Sequence, residues 1–243
     1  MLTEQQIQTA LQGRILVITG AGISADSGIP TFRGKEGYWR KLDPMKLATP
    51  EAFQANPQLV WDWYSYRRKL VSEAQPSAGH EVIARLSQMA RDFLLVTQNV
   101  DDLHERAGTR RDRMVKIHGD LFLNRCFNPT CDEQNRETIS DGALPKCKRC
   151  SSLLRPGVVW FGEALDPETI KHVDDFLAAG PCDLVLVIGT TAQFGYIVHW
   201  ALRATGRSGT AIEINPDDTG LTSVIKYAVR ERASTALPRI FKL

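Results

Sequence analysis

Residues 20–33 read GAGISADSGIPTFR and directly follow the apolar run ILVI and one threonine at residues 15–19. A β-strand that runs into a glycine-rich turn lets the backbone approach a pyrophosphate, and a helix usually follows the turn. The sequence therefore predicts a dinucleotide site here. The glycines lack the usual G-x-G-x-x-G spacing, and the loop continues into Phe32 and Arg33, which a phosphate turn does not need. We therefore expect the loop to do more than hold phosphate.

Size and charge limit the classes of protein that this chain can represent. Its 243 residues suit one globular core with an inserted module. A net charge of +2 gives no basic patch for nucleic acid, and the most apolar stretch, residues 184–188, is too short to span a bilayer. The N-terminal MLTEQQIQTALQ is not typical of a signal or transit peptide. We expect a cytoplasmic monomer that binds neither nucleic acid nor membrane.

Short apolar segments alternate with helical patterns along the chain. We expect strands at residues 14–19, 92–97, 114–117, 183–188 and 210–214, and helices at 4–11, 57–73, 78–91, 101–107, 167–179 and 196–205. Because several strands are continuously apolar, they predict an α/β fold with a Rossmann-like, doubly wound parallel sheet. Ligands bind at the carboxyl ends of such strands. Residues 98–101, His118 and residues 189–191 would lie there, beside the glycine-rich turn.

Four of the five cysteines are clustered with the spacing C-x4-C-x15-C-x2-C: Cys126, Cys131, Cys147 and Cys150. Four thiolates on two short loops suit a structural zinc site, while free thiols or redox disulfides are the alternatives. Cys182 is interpreted as a small core residue. We expect a zinc-binding module at residues 120–156 and a helical insertion at 35–75. The Rossmann-like domain would comprise residues 1–34, 76–119 and 157–243.

His118 ends a predicted strand and precedes Gly119. A histidine in such a place is commonly a structural hydrogen-bonding residue. Because Asn99 and Asp101 follow a neighbouring strand, a general base is the alternative, with the amide and the carboxylate fixing an amide and a ribose of the ligand.

Together these segments resemble the sirtuins, the NAD-dependent protein-lysine deacylases. The matching stretches are GAGISADSGIPTFRG (20–34), TQNVDDLHERAG (97–108), KIHGDL (116–121), the four cysteines, LLRPGVVWFGE (153–163) and GTT (189–191). They occur in the family's order and span nearly the whole chain. The resemblance implies a large Rossmann-like domain and a small zinc domain, with NAD and an acyl-lysine protein or peptide entering the cleft between them from opposite sides.

The resemblance also implies a reaction in which NAD is consumed. The acyl oxygen attacks C1′ of the nicotinamide ribose, and nicotinamide, O-acyl-ADP-ribose and free lysine are released. His118 would be the general base, with Asn99 and Asp101 as the other catalytic residues, and Phe32 would shield C1′ from water. The implied cofactor-binding residues are Gly20, Ala21, Gly22, Asp26, Thr31, Phe32, Arg33, Trp39, Gln98, Asn99, Val100, Asp101, Gly189, Thr190, Thr191, Asn215, Pro216 and Ala233.

The substrate peptide would add as a strand between residues 158–163 and the segment after Thr191. The residues expected to contact it are Val159, Phe161, Gly162 and Glu163. Such main-chain pairing makes the preference for peptide sequence weak.

Tyr64 and Arg67 lie three positions apart in a predicted helix and therefore project together. The stripe expected to face the core is Leu59, Trp63, Tyr66 and Leu70. From the pattern alone, Arg67 would be a solvated arginine beside a core tyrosine. The resemblance implies instead the sirtuin class active on succinyl- and malonyl-lysine, in which a Tyr-x-x-Arg pair, here in the 35–75 insertion, lines the acyl pocket. A guanidinium suits a terminal carboxylate, and some deacetylation is also expected.

Three departures from the family pattern bear on these expectations. The first cysteine pair is C-x4-C, Thr31 stands where many deacetylases have aspartate, and residues 192–196 differ from the usual Ser-rich, Val-Tyr-Pro run. A sirtuin-type ADP-ribosyltransferase and a plain deacetylase are alternative enzymes. Among binding modules, the alternatives are an NAD sensor without turnover and a zinc-dependent nucleic-acid binder, which the charge balance disfavours because it supplies no basic patch.

Overall fold

The computed structural model describes residues 4–31, 43–140 and 142–243. Its strands are β1 (Arg14–Thr19), β2 (Asp92–Thr97), β3 (Met114–Lys116), β4 (Gly119–Cys126), β5 (Gln134–Asn135), β6 (Leu154–Val158), β7 (Leu184–Ile188), β8 (Thr210–Ile214) and β9 (Tyr227–Val229). Its α-helices are α1 (Glu4–Gln12), α2 (Gly22–Ala25), α3 (Pro44–Leu47), α4 (Pro50–Ala55), α5 (Pro57–Glu73), α6 (Ala78–Met89), α7 (Leu103–Arg106), α8 (Pro167–Ala178), α9 (Gly195–Thr205) and α10 (Ala233–Phe241). Among these helices, none has both the length and the apolar composition that a membrane span requires.

Six parallel strands form the main sheet in the spatial order β3-β2-β1-β7-β8-β9. The chain runs outward from β1 in one direction through β2 and β3, and in the other through β7, β8 and β9. The gap between β1 and β7 is therefore a topological switch point, where α/β sheets bind their ligands. The predicted Rossmann-like sheet is confirmed.

The central strands are apolar at every position because both faces of the sheet are covered. Along β1, Ile15 and Val17 pack into a cluster formed with α1, α6 and α10. Leu16 and Ile18 point to the opposite face and join a second cluster with α8 and α9. Successive side chains of a strand point to opposite faces, so two covered faces demand a continuous apolar run.

A second, antiparallel sheet with the order β5-β4-β6 lies outside the main one. Helix α5 packs against it, and the indole Nε1 of Trp61 donates to the carbonyl oxygen of Leu154 at 3.0 Å. This sheet spans residues 119–158, slightly beyond the 120–156 module expected from the cysteines. The division of the chain into domains stays a prediction.

The buried face of α5 differs from the expected stripe. Tyr66 is 44% exposed, whereas Trp61 and Tyr64 are 1% exposed. The expectation for Tyr66 was wrong because the small sheet covers the side of α5 that carries Trp61 and Tyr64. The helical spacing of apolar residues alone does not reveal which side of the helix is covered.

Two glycine turns touch at the switch point. The N–H of Gly22 donates to the carbonyl oxygen of Gly189 at 2.8 Å, and a Cβ added to Gly22 would lie 2.7 Å from the Gly189 Cα. Gly189 has a φ of +59°, and a Cβ there would lie 2.6 Å from the N of Ile23. Glycine is needed at both positions, since backbone occupies the space of any side chain.

Replacing Gly189 with alanine is expected to lower the free energy of unfolding by at least about 2 kcal/mol, because it adds a backbone clash to a left-handed φ. Urea denaturation measures this. Gly195→Ala is the matched control, since an added Cβ there meets nothing within 4 Å and the residue begins a helix. An equal stability change in both variants would contradict the close-approach argument.

Candidate active site

His118 lies just beyond β3, and both of its ring nitrogens are hydrogen-bonded. Nδ1 lies 3.0 Å from the backbone carbonyl oxygen of Gln98, and Nε2 lies 2.8 Å from the hydroxyl of Tyr196. A carbonyl oxygen only accepts, so Nδ1 carries the proton and the neutral ring has its lone pair on Nε2. Burial lowers the pKa of His118, and the Gln98 carbonyl only partly opposes this effect. The imidazole is therefore neutral near pH 7 and can accept a proton at Nε2.

Ser24 is the centre of a buried polar network that fixes Asn99 and Asp101. Its Oγ accepts from Asn99 Nδ2 at 3.1 Å and donates to Asp101 Oδ2 at 3.0 Å. The backbone N–H of Ser77 donates to Nδ1 of His80 at 3.1 Å, so the neutral ring carries its proton on Nε2, which faces the Ser24 hydroxyl at 3.4 Å. The side-chain amide of Asn99 and the carboxylate of Asp101 are therefore oriented by hydrogen bonds within the chain.

Sequence reasoning missed Ser24 and His80 as parts of the site. Ser24 lies inside the segment GAGISADSGIPTFR, in which sequence reasoning assigns roles to neighbouring residues but none to this serine. His80 is three positions after Ser77, and the two form a capping box at the start of α6. That spacing was the available signal, although it indicates a helix start rather than a catalytic site.

The interior of the site shifts its titratable groups toward their neutral forms. Burial raises the pKa of Asp101, although hydrogen bonds from Leu103 and Ser24 oppose this. Burial lowers the pKa of His80 to about 4 and that of the adjoining His104 well below its usual value. Such shifts are typical of a water-poor environment, in which hydrogen bonds and charges act strongly.

The carboxyl ends of β2, β7 and β8 meet through side-chain hydrogen bonds. Gln98 Nε2 donates to Thr190 Oγ1, and Asn215 Nδ2 donates to the Thr190 carbonyl oxygen, each at 2.9 Å. Both partners lie beside the touching glycine turns. The structure thus brings together predicted cofactor-binding residues that are far apart along the chain, such as Gln98 and Asn215, which are 117 positions apart.

Other predicted cofactor-binding residues have different surroundings. Asp26 accepts hydrogen bonds from Arg232 and Ser234, which flank Ala233 at the start of α10. Although burial alone would raise it, these partners lower the pKa of Asp26. The Val100 carbonyl accepts from the N–H of Leu121 at 2.8 Å. Pro216 is exposed. Phe32, Arg33 and Trp39 lie outside the described residues.

Tyr64 and Arg67 lie together on α5. The Tyr64 hydroxyl accepts a hydrogen bond from Trp160 Nε1 at 2.9 Å, and the Arg67 guanidinium carbon lies 5.1 Å from the centre of the Trp63 ring and 5.7 Å from that of Tyr64. Burial raises the pKa of Tyr64. Burial lowers the pKa of Arg67, and the charge of Asp101 is among the effects that oppose it. Arg67 is therefore within electrostatic reach of the polar network.

The segment expected to bind the peptide is already hydrogen-bonded within the chain. The N–H of Val159 donates to the His118 carbonyl at 2.8 Å, and that of Phe161 donates to the Ala48 carbonyl at 2.9 Å. Glu163 accepts from the N–H of Trp160 at 2.7 Å and from Arg155 Nη2 at 2.9 Å. The Glu163 carboxylate thus fixes the turn that contains Gly162.

The four clustered cysteines converge on one point. The sulfur atoms of Cys126, Cys131, Cys147 and Cys150 all lie within 4.8 Å of one another. A tetrahedral zinc ion with Zn–S bonds of about 2.3 Å requires sulfur–sulfur distances of about 3.8 Å. The cluster fits a zinc ion, and four thiolates leave no open coordination position. Cys182 is buried in the second core cluster instead.

Comparisons with known proteins agree with this geometry. The model of the Sir2 family matches residues 20–195. The NAD-dependent protein deacylase of Aquifex aeolicus is 40% identical over 227 residues, which cover 93% of each chain. The mitochondrial NAD-dependent protein deacylase sirtuin-5 of Canis lupus familiaris is 40% identical over 250 residues, covering 92% of this chain and 79% of its own. A crystal structure of a Sir2 homologue in complex with NAD superposes with a TM-score of 0.89 at 40% identity, covering 100% of this chain and 93% of the other.

Removal of one cysteine ligand should release the metal and loosen the small sheet. We expect elemental analysis to find one zinc ion per chain in the wild type and none in Cys147→Ser. Since metal binding contributes folding free energy, stability should fall by at least about 2 kcal/mol, or about 4–8 °C in Tm. Cys182→Ser is the control and should keep its zinc. Full zinc retention in Cys147→Ser would rule out this ligand.

Acidification should destabilise the fold through His80. Unfolded histidine takes up a proton below about pH 6.5, whereas His80 resists protonation until about pH 4. Between these values the unfolded state binds more protons, so the free energy of unfolding falls as the pH falls, by up to about 1.4 kcal/mol per pH unit for this residue. His80→Gln should therefore show a shallower pH dependence in urea denaturation between pH 4.5 and 6.5. Exposed His172→Gln is the control; an unchanged slope in His80→Gln would contradict the assignment.

Proposed function

The chain belongs to the Sir2 family, and we propose that it is an NAD-dependent protein-lysine deacylase that removes succinyl and malonyl groups and also acetyl groups. The products are nicotinamide, O-acyl-ADP-ribose and free lysine. NAD, as co-substrate, supplies the ribose to which the acyl group is transferred. The chain's own residues bind and orient the reactants, keep water out and accept a proton.

His118 is the proton acceptor in this proposal. The Gln98 carbonyl holds its proton on Nδ1, which presents the lone pair of Nε2 to a ribose hydroxyl. A lowered pKa keeps the ring neutral at physiological pH, as a general base requires. Asn99 and Asp101, oriented by Ser24, position the nicotinamide ribose and carboxamide.

The switch point is the proposed site for the rest of NAD. The pyrophosphate lies against the turn at Gly20, Ala21 and Gly22, where the two glycines place no side chain between the backbone and the phosphates. The N–H groups of Gly20 and Gly22 already donate to the carbonyls of Ile188 and Gly189, so these two glycines supply close approach rather than hydrogen bonds to phosphate. Thr190 and Asn215, joined by a hydrogen bond, face the adenosine ribose. The start of α10 at Ala233 offers a backbone N–H to adenine.

The observation that carries the acyl preference is the pairing of the buried Tyr64 with the half-buried Arg67. A carboxylate enters a water-poor pocket at a high cost in free energy unless a cation receives it. The Arg67 guanidinium, lying against two aromatic rings, offers that cation and a fork of donors. The raised pKa of Tyr64 keeps its phenol protonated, so the hydroxyl can donate to the same carboxylate.

The substrate lysine extends toward this pocket from a peptide lying along residues 159–163. Because the N–H groups of Val159 and Phe161 donate within the chain, we propose that the peptide pairs mainly with carbonyl oxygens there. Glu163 supports this segment through Arg155 rather than contacting the acyl group.

Replacing Arg67 with methionine should abolish the acidic-acyl preference. We expect kcat/KM for a succinyl-lysine peptide to fall at least tenfold, since a charge-assisted hydrogen bond contributes about 1.5–3 kcal/mol and each 1.4 kcal/mol is tenfold. The kcat/KM for the matched acetyl-lysine peptide should change less than about threefold. Mass spectrometry of O-acyl-ADP-ribose and nicotinamide follows both reactions.

Two further variants sharpen this test. Arg67→Lys keeps the charge but not the fork, so desuccinylation should fall by an intermediate factor. Lys69→Met removes an exposed cation from the same helix and should leave both reactions unchanged. Equal losses of desuccinylation and deacetylation in Arg67→Met would refute the carboxylate pocket. Nicotinamide release without any acylated peptide would refute deacylation as the main activity.

A further inference from the structure

Two aromatic residues at the start of α9, Phe194 and Tyr196, contact the imidazole of His118. Phe194 and Tyr196 are stacked, with ring centres 5.4 Å apart and planes 8° from parallel. The Phe194 ring also lies edge-on to the His118 ring, with ring centres 5.7 Å apart. The Tyr196 ring packs against the buried Trp200, with ring centres 5.2 Å apart. The Tyr196 ring is thus held from two sides. This is the segment at which the sequence departs from the usual family pattern.

The direction of the Tyr196–His118 hydrogen bond follows from the tautomer. Since Nδ1 of His118 carries the ring proton, Nε2 of the neutral ring is an acceptor with a single lone pair. The Tyr196 hydroxyl, 2.8 Å away, therefore donates to it. Burial raises the pKa of Tyr196 to about 12, so the phenol keeps the proton that it donates.

One lone pair cannot accept two hydrogen bonds in good geometry. A ribose hydroxyl that gives its proton to Nε2 must therefore take the place of the Tyr196 hydroxyl. Because Trp200 and Phe194 hold the phenol ring in position, the hydroxyl remains close to Nε2 and competes with each incoming hydroxyl.

We propose that Tyr196 is a built-in competitor for the base, which occupies the Nε2 lone pair of His118 until a ribose hydroxyl of NAD displaces it. This inference rests on the proposed function, because it takes His118 as the group that receives the ribose hydroxyl. Tyr196 weakens NAD binding by the free energy of one hydrogen bond. In the free enzyme its hydroxyl occupies the lone pair with which His118 would accept a proton.

Tyr196→Phe tests the proposal, because phenylalanine keeps the stacked ring and removes only the hydroxyl. Isothermal titration calorimetry should show that the variant binds NAD about two- to tenfold more tightly than the wild type, the range expected for one net hydrogen bond. In ¹⁵N-histidine NMR spectra, the Nε2 resonance of His118 should shift in the free variant. Saturation with NAD should remove that difference, since the ribose then occupies Nε2 in both proteins.

A double-mutant cycle separates competition at His118 from a general change in the cleft. In a His118→Ala background, Tyr196→Phe should alter NAD affinity less than about twofold, since there is no lone pair to release. Tyr227→Phe removes a phenol elsewhere and is the control. Tm values confirm that each variant is folded.

The outcomes are distinct. Unchanged or weaker NAD binding by Tyr196→Phe, or an equal gain in the His118→Ala background, overturns the role of Tyr196 while the wild type still binds and consumes NAD. A folded wild type that does not bind NAD at all overturns the proposed function, and the inference with it.

Discussion

The contact between two glycines at the switch point is the constraint on which the site depends. Where the N–H of Gly22 donates to Gly189, the turns after β1 and β7 lie so close that neither can carry a side chain. The same approach places Thr190 directly against Gly20, where an added Cβ would lie 2.7 Å from the Thr190 Cβ. Gln98 then joins the two turns by donating to both the Thr19 carbonyl and Thr190. A backbone contact thereby determines where the polar side chains meet.

Ser24, Asn99, Asp101 and His118 stabilise one arrangement of the site because each side chain has a defined hydrogen-bond partner. Ser24 accepts from Asn99 and donates to Asp101, which leaves little freedom to either side chain. The Gln98 carbonyl selects one tautomer of His118. In a buried site an unsatisfied group is costly, so such a network is rigid only when it is complete. The same burial moves the pKa of Asp101 up and that of His118 down, toward the uncharged forms.

The sequence predicts the main sheet well because its signal is local. The central strands β1 and β7 are continuous apolar runs, and they need no knowledge of their partners. Strands β4 and β6 are not predicted from the sequence, since their residues do not alternate regularly between buried and exposed positions. Helix α10 was missed too, as it contains Pro238. In the site, the positions of Asn99 and His118 just after strands indicate their role. Contacts between distant segments, such as that of Ser24 with His80, produce no periodic pattern in the sequence and cannot be predicted from it.

Two arginines beside the same aromatic cluster illustrate why composition cannot assign function. The guanidinium carbon of Arg155 lies 3.3 Å from the centre of the Trp160 ring, and its two Nη atoms donate to the Glu163 carboxylate. Arg155 therefore stabilises the turn that contains Gly162. Arg67 lies against Trp63 and Tyr64, and the charge of Asp101, a member of the Ser24 network, is among those that act on it. An acyl carboxylate brought to Arg67 would add a negative charge near Asp101, which burial already favours in its protonated form. In the proposed pocket, a carboxylate bound by Arg67 would therefore be coupled electrostatically to Asp101 and the Ser24 network, and the guanidinium would be the group that joins them.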